Sequence, residues 1–160
     1  MKNATIRPVE KPDLPLLDQA LRALSQDLGD AHLGDVALLE RTGFGATPAY
    51  HALIAESGQA LLGAVVFSPI LSTVRGMSGL YVSDLWVGSD ARGMGLGPRL
   101  LAAATRVAAD RWCAEFLNLA VYHTSVGARR FYDRLGFAPR SEETKMVLDT
   151  SGFEALKGLR

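Results

Sequence analysis

The stretch Tyr81-Val-Ser-Asp-Leu-Trp-Val87, Gly88-Ser-Asp-Ala91, Arg92-Gly-Met-Gly-Leu-Gly97, Pro98 reads as strand, glycine-rich turn and helix start. Glycines at 93, 95 and 97 remove side-chain bulk and allow positive φ, so several main-chain N–H groups can converge ahead of the helix. Such a point suits an anion. Pro98 fits the first helical position, where its fixed φ helps and its missing N–H breaks no intrahelical bond. Beyond it Leu100, Leu101, Ala104, Val107 and Ala108 recur at helical spacing, and Arg99, Arg106 and Arg111 lie off that stripe.

Glycine turns ahead of helices serve several chemistries. A dinucleotide fingerprint needs glycine where Pro98 stands, and a Walker loop needs a Gly-Lys-Ser/Thr that this chain lacks. Two readings stay open on these residues alone: a turn that only caps its helix, or a cradle for another pyrophosphate.

Length and charge narrow the rest. The 160 residues suit one domain, 1–160, long enough to bury roughly two-thirds of the unfolded surface. Lysines plus arginines equal the acids, 17 each, so no overall field draws in nucleic acid or anionic lipid. The N-terminus lacks the apolar core of a signal peptide, and no apolar run approaches membrane-spanning length. A cytoplasmic protein without nucleic-acid or membrane partners is expected. His32, His51 and His123 have no ligand-spaced companions, so no metal is expected. The single cysteine, Cys113, is read as a packing residue at a helix end beside Trp112.

Along the chain, Thr5–Val9 reads as a strand, and a helix with Leu14, Leu17, Leu21 and Leu24 on one side follows, with Asp13 as its N-cap. Residues 25–34 read as a loop whose Asp27 and Asp30 are either ordinary surface acids or face a cationic substrate; a short helix spans Asp35–Arg41. Tyr50–Glu56 and Ala60–Phe67, joined by Ser57-Gly58-Gln59, form a hairpin. The second of these strands is expected to break at Pro69 and resume before a turn at Gly76, followed by a central strand Leu80–Val87. Phe116–Tyr122 reads as a buried strand, so strand, helix and strand make a parallel crossover. Ser125 can cap the next helix, whose stripe Ala128, Phe131, Leu135 stops at Gly136. Phe137–Ser141 and Lys145–Asp149 can each add a last strand, and the tail from Thr150 a helical turn.

These motifs carry a resemblance. Arg92, Gly95 and Gly97 match the Arg/Gln-x-x-Gly-x-Gly/Ala loop of the GNAT acetyltransferases, and Phe131-Tyr132-Asp-Arg-Leu-Gly136-Phe137 resembles their second signature. Leu39-Glu-Arg-Thr-Gly-Phe44-Gly-Ala-Thr-Pro48-Ala-Tyr50-His51-Ala-Leu-Ile-Ala55-Glu56 and Leu80–Val87 are similar to segments of the diamine (spermidine/spermine) N-acetyltransferases. The resemblance implies an α/β (α+β) GNAT fold: a mixed, mostly antiparallel sheet of about six to seven strands, about four helices and a parallel strand-helix-strand cofactor core. It also implies acetyl-CoA as co-substrate, a small-molecule amine acceptor and a homodimer. The chain departs from the family at three places: Ser83-Asp84 replaces a Glu-Asp pair, Ser125 an asparagine, and Pro98 a residue with an N–H.

By that resemblance the turn, Arg92, Gly93, Gly95 and Gly97, takes the pyrophosphate of coenzyme A. The N–H groups of Leu85 and Val87 take the thioester carbonyl and the pantetheine arm, and Ser125 also contacts that arm. Ser83 and Asp84 face the amine. An alkylammonium costs roughly 4 to 5 kcal/mol to deprotonate at pH 7, so some group or water must accept its proton. Asp84, on the strand leading into the turn, is the first candidate base, the alternative being that it only binds the cation. Tyr132 stays protonated at pH 7 and can act as general acid towards the leaving thiolate. His51 is read as a hairpin side chain. No cysteine nucleophile is indicated, which favours direct attack in a ternary complex. The expected activity is N-acetylation of a diamine, polyamine or lysine-like amino acid; the alternatives are an acyl-CoA-binding module without turnover and an acetyltransferase for a protein or antibiotic amine.

Overall fold

A computed structural model describes residues 4–140 and 142–159. The chain forms two compact units, Met1–Ser125 and Val126–Arg160. In the first, the elements run β1 (Thr5–Pro8), a 3₁₀ turn (Lys11–Asp13), α1 (Leu14–Leu28), α2 (Val36–Gly43), β2 (His51–Ser57), β3 (Ala60–Ser72), β4 (Met77–Val87), a second 3₁₀ turn (Ser89–Ala91), α3 (Leu96–Trp112) and β5 (Ala114–Leu119). The second unit contains α4 (Val126–Arg134) and α5 (Thr150–Lys157). Among the described residues no helix is long and apolar enough to cross a membrane.

The sheet order is β1-β2-β3-β4-β5, antiparallel except for the β4–β5 pair. Strand side chains alternate between faces, and the buried residues sort accordingly. Leu14, Leu17 and Ala20 of α1 and Leu39 of α2 pack with Ala52, Ile54, Ala64 and Val66 on one face. The helix α3 covers the other. Its approach depends on Gly63 of β3, where a Cβ would stand 2.9 Å from the Leu100 side chain and 2.9 Å from the Trp86 carbonyl. Any larger residue there would push helix and strand apart.

Several expectations change. The sheet has five strands among the described residues, not six or seven, and the α-helices number five, not four. Neither Phe137–Ser141 nor Lys145–Asp149 forms a strand in the described residues; Ser141 itself lies outside them. Among the described residues the Val126–Arg160 unit contains no strand to pair with, and Met146, Val147 and Leu148 are all exposed, Met146 at 89 %. A lone extended segment has no ladder partner for its main-chain groups.

The strand β3 runs through Pro69 instead of breaking. Past the His51–Phe67 pair it has lost β2 and pairs only with β4, where Pro69 lies opposite Leu80. With one edge open, the missing N–H need interrupt no ladder. Residues 25–28 are helical, and α3 begins at Leu96, so Pro98 is its third residue, still in the turn whose N–H groups lack intrahelical partners. Cys113 is exposed and left-handed (φ 55°), because Trp112 takes the inward position: its ring stacks on His51 at 5.3 Å and its Nε1 donates to the Gly79 carbonyl at 2.9 Å.

Asp13 precedes α1 as expected, but its carboxylate does not cap that helix. It accepts from the Glu10 N–H at 2.8 Å and from both terminal nitrogens of Arg7 at 2.6 and 2.9 Å. Arg7 also donates to Glu56 at 2.9 and 3.2 Å, tying β1, the entry to α1 and β2 together. The Arg7 bonds, aided by the Glu10 N–H, hold the Asp13 carboxyl below its ordinary pKa. Its contribution is therefore complete above the unfolded carboxylate value and lost as pH falls through the lower folded one. Asp13→Asn should cost about 1 to 2 kcal/mol at pH 7, and the difference from the parent should shrink below about pH 4, measured by urea unfolding across pH. A pH-independent difference would remove Asp13 from the acid response.

Candidate active site

The site begins with a mismatch between two strands. The β3–β4 register pairs Val66 with Asp84 but Phe67 with Val82, leaving Ser83 as the extra residue of a bulge. Bulges bend the strand that carries them and increase its twist. The pairing of β4 with β5 ends one residue earlier, at Val82 opposite Leu119. From Ser83 to Val87, β4 keeps only β3 as a neighbour. The Ser83 hydroxyl donates to the Val66 carbonyl at 3.3 Å and so is engaged within the bulge.

The open edge exposes particular groups. Gly88 donates to the Leu62 carbonyl at 2.9 Å, and the Trp86 carbonyl faces Gly63, so both turn towards β3. Main-chain groups alternate along a strand, which turns those of Leu85 and Val87 towards the edge without a strand. One is occupied: the Val87 carbonyl accepts from Arg92 Nε at 2.9 Å.

Asp84 lies opposite Val66, on the same face as the α1–α2 cluster. It is partly buried and has no hydrogen bond or ion pair among the described residues. Its neighbours in the chain's acidic set are engaged. Asp18 accepts from His32 Nε2 at 3.0 Å and Arg22 at 3.1 Å, Asp27 pairs with Arg92, and Asp30 accepts from the Tyr122 hydroxyl at 3.0 Å. The last two contacts are invisible in the sequence, since they join residues 65 and 92 positions apart.

Beyond β4 the 3₁₀ turn closes with Ala91 N–H on the Gly88 carbonyl at 2.9 Å. Gly93 and Gly95 both adopt φ +75°, a conformation that costs other residues about 1 to 2 kcal/mol, and nothing lies within 4 Å of where their Cβ atoms would be. Gly95 is the N-cap of α3, a helix of 17 residues. Gly97 is buried inside the helix rather than in the turn. The N–H groups of Leu96 and Gly97, with the helix dipole behind them, form an open cradle suited to an anion. The Arg92 side chain braces this turn against β4 and the end of α1.

Ser125 is half-buried, donates its N–H to the Tyr122 carbonyl at 2.9 Å and directly precedes α4. In the second unit, α4 carries Tyr132, whose ring makes edge contacts with Phe131 at 4.9 Å and Phe137 at 5.4 Å. Burial pushes its phenol pKa up, so the proton is retained at neutral pH. Its hydroxyl has no hydrogen-bond partner among the described residues. The helix ends as Phe137 donates to the Tyr132 carbonyl (3.1 Å) and Gly136 to that of Asp133 (3.1 Å), with Gly136 left-handed. The first unit thus gathers Ser83, Asp84, Leu85, Val87, Arg92, Gly93, Gly95 and Gly97 along one strand and its turn; Tyr132 belongs to the other.

Comparison with known proteins shows the family. The sequence profile described as "Acetyltransferase (GNAT) family" matches residues 17–137. Thialysine N-epsilon-acetyltransferase of Bos taurus is 33 % identical over 106 residues, 61 % of each chain. The Sus scrofa protein of the same name is 29 % identical over 146 residues, 85 % of each chain. Among solved structures, an integron cassette protein from V. cholerae superimposes with a TM-score of 0.78 at 21 % identity, covering 98 % of both chains, a likeness of fold. The chain belongs to the acetyltransferase (GNAT) family and is an N-acetyltransferase.

Proposed function

We propose that the protein transfers an acetyl group from acetyl-CoA to a primary amine of a small cationic molecule, a diamine, polyamine or lysine-like amino acid, by direct attack in a ternary complex. The observation that carries this reading is the unpartnered carboxylate of Asp84, beside the bulge where β4 loses β5. The thialysine acetyltransferases among the relatives act, by name, on a lysine-like amine, which favours the same acceptor class.

The residues present fit coenzyme A. The open space at Gly93 and Gly95 suits a pyrophosphate held by main-chain donors of the turn, from Arg92 to Gly97. The unpaired edge at Leu85 and Val87 offers N–H groups to a pantetheine arm and a thioester carbonyl, and Ser125 adds a hydroxyl. Acetyl-CoA supplies the activated acyl group. Asp84 attracts the ammonium and takes its proton, directly or through water, which offsets the cost of presenting a neutral nitrogen. With the Ser83 hydroxyl engaged by Val66, Asp84 is the only carboxylate of that pair of positions. Tyr132 donates a proton to the departing sulfur, a role favoured by its raised pKa and unengaged hydroxyl. A homodimer belongs to this reading, since a second copy could cover the exposed Met146-Val147-Leu148 run; a mass of 17.2 kDa in sedimentation would remove it.

An amine panel with acetyl-CoA and thiol detection tests the whole reading. Diamines and lysine-like compounds should outrank neutral amines, and Asp84→Asn should lower kcat/KM for them while coenzyme A affinity holds. Unchanged amine kinetics would take Asp84 out of the site. Tyr132→Phe keeps the ring and removes the proton, and should lower kcat by about a hundredfold to ten-thousandfold without loss of acetyl-CoA binding. Because burial raises the phenol pKa, the parent should keep its proton donor until the pH exceeds about 10, and the variant should lack that alkaline limb. Full turnover in Tyr132→Phe would end the general-acid role, and acetyl-CoA binding with no acetylated amine would favour a binding module.

A further inference from the structure

A cavity of about 300 Å³ opens where the C-terminal half of α3 meets the start of β2 and the segment after α2. It takes no part in the chemistry above. Along α3 it lies roughly 20 Å from the glycine turn at the other end, at 1.5 Å per residue. Asp84 projects from the face of the sheet opposite α3. The volume is at the small end of the range for ligand pockets, which are apolar with a few convergent polar groups.

The lining has that character. Phe44, Pro48, Phe67 and Val107 supply an apolar wall, and Phe44 remains 39 % exposed although it is aromatic. Three polar side chains reach the same space: His51 from β2, and Asp110 and Arg111 from α3. None of the three has a hydrogen bond or ion pair among the described residues. Tyr50, also on the wall, has its hydroxyl engaged by the Leu39 carbonyl at 2.8 Å. The His51 ring is held against Trp112 at 5.3 Å and Phe67 at 5.9 Å. Burial, and then the Arg111 charge, lower its pKa, so at pH 7 it is a neutral donor and acceptor.

Adjacent positions on one helix thus present one anion and one cation to an apolar pocket. A polyamine would meet the guanidinium, and a phosphate or dicarboxylate would meet the carboxylate. A ligand with both charges on neighbouring atoms and an apolar body satisfies all three features. We propose that this cavity is a second binding site, for a zwitterionic α-amino acid with an apolar or aromatic side chain. Arg111 binds its carboxylate and Asp110 its ammonium. The side chain lies against Phe44, Pro48 and Val107.

Equilibrium dialysis of the full chain with radiolabelled L-phenylalanine tests this. One equivalent should bind with Kd below about 1 mM. Unlabelled 3-phenylpropionate and 2-phenylethylamine, each lacking one charge, should compete at least about tenfold less well than L-phenylalanine or L-leucine. Arg111→Gln should weaken amino-acid binding about tenfold or more, and Asp84→Asn should leave it unchanged. No binding at that concentration, equal competition by the singly charged analogues, or full binding by Arg111→Gln would overturn the proposal. Loss of binding in Asp84→Asn would assign the amino acid to the transfer site and overturn it as well. The analogue series needs no variant, so the proposal stays open to refutation if a substitution fails to fold.

Discussion

One extra residue on β4 sets the terms for the rest of the site. A strand with two partners satisfies both its edges; β4 does so from Ser78 to Val82, and Ser83 then disrupts the register on one side as β5 ends on the other. The N–H groups of Leu85 and Val87 and the Leu85 carbonyl are left to water or to a bound molecule, since polar backbone withheld from both costs free energy, while Arg92 takes the Val87 carbonyl. Meanwhile β3 pairs with β4 as far as Val87, so the open segment is held rigidly from behind. The sheet thereby offers an incomplete edge at a fixed place, beside an anion cradle that begins only a few residues later.

Charge is arranged around that edge with the same economy. The chain is neutral overall, yet three acids of α1 and the turn after it are each engaged: Asp18 by His32 and Arg22, Asp27 by Arg92, Asp30 by Tyr122. The exposed Arg92–Asp27 pair is individually weak. The Asp27 and Asp30 contacts tie the end of α1 to the glycine turn and to the segment after β5. Asp84 stands apart because, among the described residues, it is the one of these four carboxylates with neither a hydrogen bond nor an ion pair, and a cation reaching it displaces no partner.

Much of this was legible along the chain, and the parts that were not share a cause. The hairpin at Gly58, the turn at Gly76, the left-handed glycines 93, 95 and 136 and the burial of Leu14, Leu17, Leu100 and Ala104 follow from local chemistry and period. The tolerance of Pro69 depends on where a neighbouring strand stops, and the exposure of Cys113 on Trp112 taking the inward place. The last strands failed for the same reason: Lys145–Asp149 has the composition of a strand but no partner within its unit. The bulge at Ser83 is a matter of register between two segments, which neither segment records alone. Likewise the unpaired state of Asp84 is defined by the absence of long-range contacts, which no spacing rule reports.

The strand order β1-β2-β3-β4-β5 also bears on how the chain assembles. Each strand lies beside the one made just before it, so during synthesis every new strand can be laid against an edge already in place. The meander from β2 to β4 closes through short turns, at small cost in chain entropy, whereas β5 must wait for the 17 residues of α3 to fold and cross over. This side of β4 is thus the last to be flanked, and only as far as Val82, short of the segment that the site uses. For part of its folding β4 is exposed along its whole length on that side, a vulnerable interval that ends when α3 and β5 dock.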